Sequence, residues 1–328
     1  MIGAWRRRVV VALVVLGTVV AVMFLLRFPW GGAADAVRRA DGWILLAAGI
    51  VNVASFAAKG LEWQLLLGLT ARSRWKVTQE ATLLGAAVAS VSSSLAGEAA
   101  RIHHVVTRDH VPPGVATASV AWARIVEALG LALLVIVASP FLRLPPPLRG
   151  LQFGAGVTAV IILGLALSGP RRRLISLLPE RARAAATSWS RMGAVGSLPA
   201  PTLCALLNWI TQWATFHLTF VALHIRVPLE ASLIALLITN LSGILRISPG
   251  NIGLMEASMP ISLYPFGVPP GVAIVAGLAL HALQVLPILA FAIAVFGWKG
   301  IRTAFGGGRR SRPGVPRHER LTARDAAG

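Results

Sequence analysis

The chain has 328 residues, 56% of them hydrophobic and 13% charged, with 31 Lys and Arg against 12 Asp and Glu, a formal net charge of +19. A soluble domain carries roughly twice that charged fraction, which excludes a water-soluble globular protein. The basic excess does not make a nucleic-acid binder either: that function needs a folded polar face rich in Lys and Arg, and here the arginines stand in blocks between apolar runs, as in an integral membrane protein. The single cysteine, Cys204, cannot form an internal disulfide, no Cys/His spacing resembles a metal site, and no cofactor is expected.

A helix crossing about 30 Å of hydrocarbon needs about 20 mostly apolar residues. Six clear runs approach that length, at 9–26, 43–69, 114–138, 151–169, 201–224 and 271–298. Two less regular ones, 77–95 and 229–247, each lead into a polar, glycine-containing stretch. The first run follows Arg6, Arg7 and Arg8 and precedes Arg27, Phe28, Pro29 and Trp30. With no small-residue cleavage site there, it is expected to be a retained helix whose N-terminus is cytoplasmic.

Four blocks (6–8, 72–76, 171–191 and 299–324) hold 20 of the 31 basic residues, and the positive-inside rule places all four on the cytoplasmic side. Trp5, Trp30, Trp43, Trp75, Trp189 and Trp298 lie at or near run ends, where indoles anchor at the interface. The tail from Gly306 reads as disordered. The expected division is 1–42 for an N-terminal transmembrane helix and interfacial loop, 43–138 for a first membrane repeat and 139–200 for a connecting helix and basic cytoplasmic loop. A second membrane repeat covers 201–298, and 299–328 is a cytoplasmic tail.

The repeat rests on Val-Pro-Pro-Gly-Val-Ala, which occurs at 111–116 and at 268–273. At an offset of 150, Val77, Glu80, Ala81, Leu83, Ser92 and Leu95 match identical residues, and Glu62-Trp63 falls on Gln212-Trp213. Beyond the hexapeptide the offset is 157, placing Arg124 and Glu127 on His281 and Gln284. Between the blocks at 72–76 and 171–191, and again between 171–191 and 299–324, the number of crossings is odd. An extra element at about 97–110 must therefore reverse direction, and another at about 250–266, each as a crossing or a re-entrant hairpin. The two halves are then inverted with respect to each other, an arrangement that secondary transporters use to rock about a central site. The expected fold is all-α and polytopic, with about eight hydrophobic segments, two of them broken, in two inverted repeats.

Charges within the apolar runs pair at i,i+3: Lys59 with Glu62, Glu98 with Arg101, and Arg124 with Glu127. That spacing shares a helical face, and ions at such depth face protein or a wet cavity and pair. The two breaks read Ser92 to His104 and Arg246 to Glu256. In the second, Ser248-Pro249-Gly250 is expected to open a helix with Ser248 as cap, so that its free N–H groups and Arg246 attract an anion. His103, His104, His217 and His224 read as packing or interfacial histidines. No nucleophile elbow, phosphate loop or metal triad is present, and an acid/base role for Glu98 or Glu256 is not demanded.

At these residues the sequence resembles the lysylphosphatidylglycerol synthase transmembrane region, a flippase-like family of multi-helix bacterial and archaeal membrane proteins. Gly97-Glu98-Ala99-Ala100-Arg101, Arg124-Ile125-Val126-Glu127 and Pro249-Gly250-Asn251-Ile252-Gly253-Leu254-Met255-Glu256-Ala257 stand where the family carries its motifs. Two departures are the missing proline before Gly97 and a glutamate, Glu127, in place of an aspartate. Bifunctional members add a soluble aminoacyl-transfer domain. The sequence ends 30 residues after Trp298, so no such domain is expected.

The expected function is translocation or binding of an anionic or aminoacylated lipid, or of a lipid-linked intermediate, in the plasma membrane, with both termini cytoplasmic. The expected ligand-binding residues are Glu98, Arg101, Arg124, Glu127, Arg246, Ser248, Gly250, Asn251, Gly253 and Glu256, around one cavity near the midplane. Expected partners are membrane lipids with anionic head groups rather than nucleic acid. Two other readings stay open: an accessory subunit holding a membrane enzyme, and a membrane-embedded lipid-modifying enzyme.

Overall fold

The computed structural model describes residues 38–141, 179–244, 251 and 253–306, together with Asp35 and scattered positions between 150 and 164. The runs at 9–26 and 151–169, the block at 6–8, the tail beyond 306, and Arg246, Ser248 and Gly250 lie wholly or mostly outside the described residues. Among those described the fold is all-helical, without strands. Helices α1 (Gly42–Gly68), α2 (Trp75–Val91), α3 (Ser94–Asp109) and α4 (Pro113–Ala138) lead through α5 (Glu180–Met192) to α6 (Pro199–Ala222), α7 (Leu229–Ile244), α8 (Leu254–Leu263) and α9 (Pro270–Gly306).

By length and composition α1, α4 and the Pro270–Gly297 part of α9 can each cross a membrane, and α7 has a shorter apolar stretch, Leu229–Ser242. Gly297, with φ of 61° and ψ of 168°, breaks α9 at the end of its long apolar part. The other helices fall short for visible reasons. α6 interrupts its apolar surface with Asn208, Thr211, Gln212, Thr215, His217 and Thr219. α2 and α3 have 17 and 16 residues, or about 25 Å each.

These two form the reversing element expected after residue 95. Ser93 caps α3, its hydroxyl oxygen accepting from the Ala96 N–H at 3.2 Å. The far end of α3 returns to the start of α2, where Asp109 accepts from the Ser73 hydroxyl (2.8 Å), the Arg74 N–H (2.8 Å) and Arg74 Nε (2.8 Å). α2 and α3 are therefore an antiparallel hairpin that begins and ends at one level. Its helices touch at glycine: a Cβ on Gly97 would overlap the Gly85 carbonyl oxygen and approach Ala89 Cβ to 2.8 Å.

The residue before each copy of the hexapeptide, His110 and Gly267, lies in the left-handed region at φ of 54° and 73°. The chain leaves α3 and the turn after α8 through the same local conformation before α4 and α9 begin. Three apolar cores form among the described residues: Trp63, Leu66, Trp122 and Val126 belong to one, with α1 and α4 at its centre, Phe216, Phe220, Leu233, Met259 and Leu280 to another, from α6 to α9, and Ala87, Ile288 and Ala292 to a small third between α2 and α9. Because lipid is as apolar as leucine, helices in a membrane associate through close packing and hydrogen bonds rather than hydrophobic burial. Indoles supply two such bonds, from the buried Trp63 Nε1 to Ser119 Oγ at 2.9 Å and from the half-buried Trp209 Nε1 to the Glu127 carbonyl at 2.7 Å.

The most extensive helix pair joins the two halves, α1 against α6. Asp41 caps α1 by accepting from the Trp43 and Ile44 N–H groups at 2.9 and 3.2 Å. Its own N–H donates to the Ala222 carbonyl at the end of α6 (2.9 Å), and the His224 ring bonds the Arg39 carbonyl at 2.9 Å.

Candidate functional site

A cavity of about 500 Å³ lies among α1–α4 and α6–α9, within the range of small-molecule sites. Its charged wall comes from the first half. Lys59 Nζ meets Glu127 Oε1 at 2.7 Å, Glu127 Oε2 meets Arg124 Nη1 at 2.8 Å, and Arg124 Nη2 and Nε both reach Glu98 Oε1, at 2.6 and 2.7 Å. One relay thus ties α1, α4 and α3 together.

This pairing corrects two of the three expected pairs. Arg124 and Glu127 do pair at i,i+3, but Lys59 bonds Glu127 rather than Glu62, and Glu98 bonds Arg124 rather than Arg101. Shared helical faces allow these contacts, yet the neighbouring helix offers each group a better-aligned partner. Two groups remain over. Glu62 is 1% exposed, and neither carboxyl oxygen has a hydrogen bond. Arg101 is 5% exposed and lines the cavity. Among the described residues it makes no ion pair or hydrogen bond. Its guanidinium lies 4.0 Å from the centroid of the Trp63 ring, and Trp63 is held in turn by Ser119. Stacking of this kind orients a guanidinium without occupying its donors.

The opposite wall is differently built. Asn208, Gln212, Thr239, Asn240, Ser242, Asn251 and Gln284 line it, along with His281. Phe56, Val285 and Ile288 add apolar surface. Glu256 and Gly253 are not on the wall, a correction to their expected place. Glu256 Oε1 lies 2.9 Å from His281 Nδ1, and its Oε2 accepts from the Gly253 N–H at 2.7 Å. That return bond caps α8, whose first helical residue is Leu254. The first N–H of this end is therefore taken by the helix's own glutamate and not offered to an anion. Asn251, with φ of 59°, does line the cavity; Arg246, Ser248 and Gly250 lie outside the described residues. Of the four histidines read as packing groups, His217 bonds Ser232 at 3.3 Å, and His104 meets Phe296 edge-on at 5.8 Å.

Residues 9–292 match the family described as Lysylphosphatidylglycerol synthase TM region. The chain belongs to that family. A similar relative is the UPF0104 membrane protein of Methanothermobacter thermautotrophicus, 26% identical over 71% of this chain and 77% of its own length. Membership makes this a membrane protein and covers both walls of the cavity. Trp63, on which Arg101 rests, entered the sequence reading only as a repeat position, and two residues of the cavity lining were not singled out at all, Asn208 and Asn240. An uncharged amide inside an apolar run is the signal that would have found the last two, since it too needs a partner there. His281 was visible only as the counterpart of Arg124.

Proposed function

We propose that this member of the lysylphosphatidylglycerol synthase TM region family binds an anionic membrane lipid, or a lipid-linked intermediate, by its phosphate and carries it across the plasma membrane. The observation that carries the reading is Arg101: a buried guanidinium at a polar cavity, stacked on Trp63 and without an ion pair among the described residues. Every other cation of that wall already holds a carboxylate. Two N–H donors of a guanidinium match two phosphate oxygens, and the apolar Phe56, Val285 and Ile288 offer the start of an acyl chain a surface beside it.

Transport is part of the proposal because the helix order supports two inverted repeats about this site. Each half has a long helix, a hairpin-like pair and, after a left-handed residue and the hexapeptide, another long helix. In the same proposal eight segments interact with the membrane, Arg246, Ser248, Gly250 and Asn251 complete the phosphate site from the second half, and both termini are cytoplasmic. Gly253 and Glu256 act behind it by holding His281.

Purified protein in vesicles containing a fluorescent phosphatidylglycerol tests the reading. The wild type is expected to equilibrate the label between leaflets on its own, and Arg101→Lys, which keeps the charge but loses the fork, to slow this by about tenfold or more while melting normally. Full activity of Arg101→Lys would remove phosphate coordination. Activity only with a partner enzyme would favour an accessory subunit, and a change in lipid mass a lipid-modifying enzyme.

A further inference from the structure

The cavity is charged on one side and amide-lined on the other, and the hydrogen bonds of the amide side fix which of its atoms are open. Asn240 Nδ2 donates one of its two N–H groups to the Leu236 carbonyl at 2.8 Å, which orients the amide and leaves Oδ1 as an acceptor without a hydrogen bond among the described residues. Ser55 donates to the Asn52 carbonyl at 2.6 Å and so accepts from Gln212 Nε2 at 3.2 Å. The Gln212 oxygen then takes Gln284 Nε2 at 3.3 Å. That chain of donors ends with Gln284 Oε1 as a second open acceptor. Asn208 is 5% exposed, lines the cavity, and uses neither its amide oxygen nor its amide nitrogen in any hydrogen bond among the described residues. Its amide oxygen and nitrogen are open to the cavity, one to accept and the other to donate.

From this we infer that the head group held here is polyhydroxylated: the ligand is a phosphodiester lipid whose head is a polyol such as glycerol, inositol or a sugar. The inference rests on the phosphate-binding reading above and extends it to the rest of the ligand. A phosphodiester offers only acceptors, so it belongs at Arg101 and cannot satisfy Asn240 Oδ1 or Gln284 Oε1. Hydroxyls donate and accept, and so can meet both acceptors and both ends of Asn208. A quaternary ammonium has no donor to give. A primary ammonium has donors but brings a positive charge into a cavity that already holds Lys59, Arg101 and Arg124, where the carboxylates on the wall, Glu98 and Glu127, are engaged with Arg124 and Lys59. The carboxylates behind these walls do not line the cavity: Glu62 is 1% exposed, and Glu256 is bonded to His281 and to the Gly253 N–H. The site is thus built against aminoacylated heads and for neutral hydroxyl-rich ones.

Native mass spectrometry or competition in nanodiscs, on the full chain, decides the matter with three probes: phosphatidylinositol, phosphatidic acid and lysyl-phosphatidylglycerol. Phosphatidylinositol is expected to bind at least about tenfold more tightly than either of the others, the size of one or two good hydrogen bonds. Asn208→Leu and Asn240→Leu, near-isosteric and made separately with melting as the check on folding, are each expected to bring the inositol-to-phosphatidic-acid ratio toward one. If the wild-type ratio is itself about one, or lysyl-phosphatidylglycerol binds as tightly as phosphatidylinositol, the polyol head is wrong and the phosphate site stands. If none of the three lipids binds, the anionic-lipid reading fails, and this inference with it.

Discussion

Glu127 is the residue on which the charged wall turns. Its two oxygens hold Lys59 and Arg124 from opposite sides, at 2.7 and 2.8 Å, and its side chain is 9% exposed. Replacing it with glutamine leaves Lys59, whose side chain is 28% exposed, without its counter-charge, at a cost below the roughly 3 to 5 kcal/mol of breaking a fully buried pair. Glu127→Gln is therefore expected to be the most destabilising of the conservative changes on this wall, read as the largest fall in melting temperature in detergent. Glu98→Gln is expected to cost less, because Arg124 keeps Glu127. The sequence made these residues visible through their charge at depth, but not their pairing. Spacing of i,i+3 tells which residues share a face and is silent on what the next helix presents to that face. Hence Lys59 and Glu98 found partners on α4, Glu62 was left without a hydrogen bond, and Arg101 came to rest on Trp63.

Among the elements, the α2–α3 hairpin presents Glu98 and Arg101, and two local devices hold it. Near its turn the backbones touch at Gly85 and Gly97, where no Cβ fits. Gly97→Ala is expected to force the helices apart, moving the adjacent Glu98 away from Arg124. Overpacking of this kind costs about 1 to 3 kcal/mol, and the accompanying loss of lipid transport in the vesicle assay should exceed what the fall in melting explains. At its open end Asp109 clasps the start of α2, outside the long apolar spans. Burial pushes the Asp109 carboxyl up, but hydrogen bonds from the Arg74 N–H, the Ser73 hydroxyl and the Arg74 guanidinium together outweigh it and leave the group below its ordinary range. A depressed value in the folded state means that the clasp contributes fully above the unfolded value of about 3.9 and is lost as pH falls through the folded one. Asp109→Asn should thus melt below the wild type at pH 7, with the gap closing as the pH is lowered past about 4; a gap that is the same at both ends of that range would rule out the carboxylate's role. The reversal itself was legible before the structure, because an odd number of crossings required it. Where α8 starts was not: Ser248 carries a stronger capping side chain than Gly253, but it is Glu256, three residues into the turn, that caps.

At the scale of the whole molecule, the proposed topology puts residues 72–76 and 171–191 on the cytoplasmic side. A single cysteine at position 183, in a Cys204→Ser background, is expected to resist an impermeant thiol reagent in intact cells and to react once the cells are opened. Labelling from outside would reverse the parity on which the inverted halves depend.

The clasp between residues 39–41 and 222–224 bears on how such a molecule could move. It fastens the beginning of α1, in one half, to the end of α6, in the other, and the two helices lie together between those ends. Two halves so joined cannot swing apart as separate blocks. If the cavity opens first to one leaflet and then to the other, α1 and α6 are its axle, and the travel belongs to the helices packed on either side of that pair.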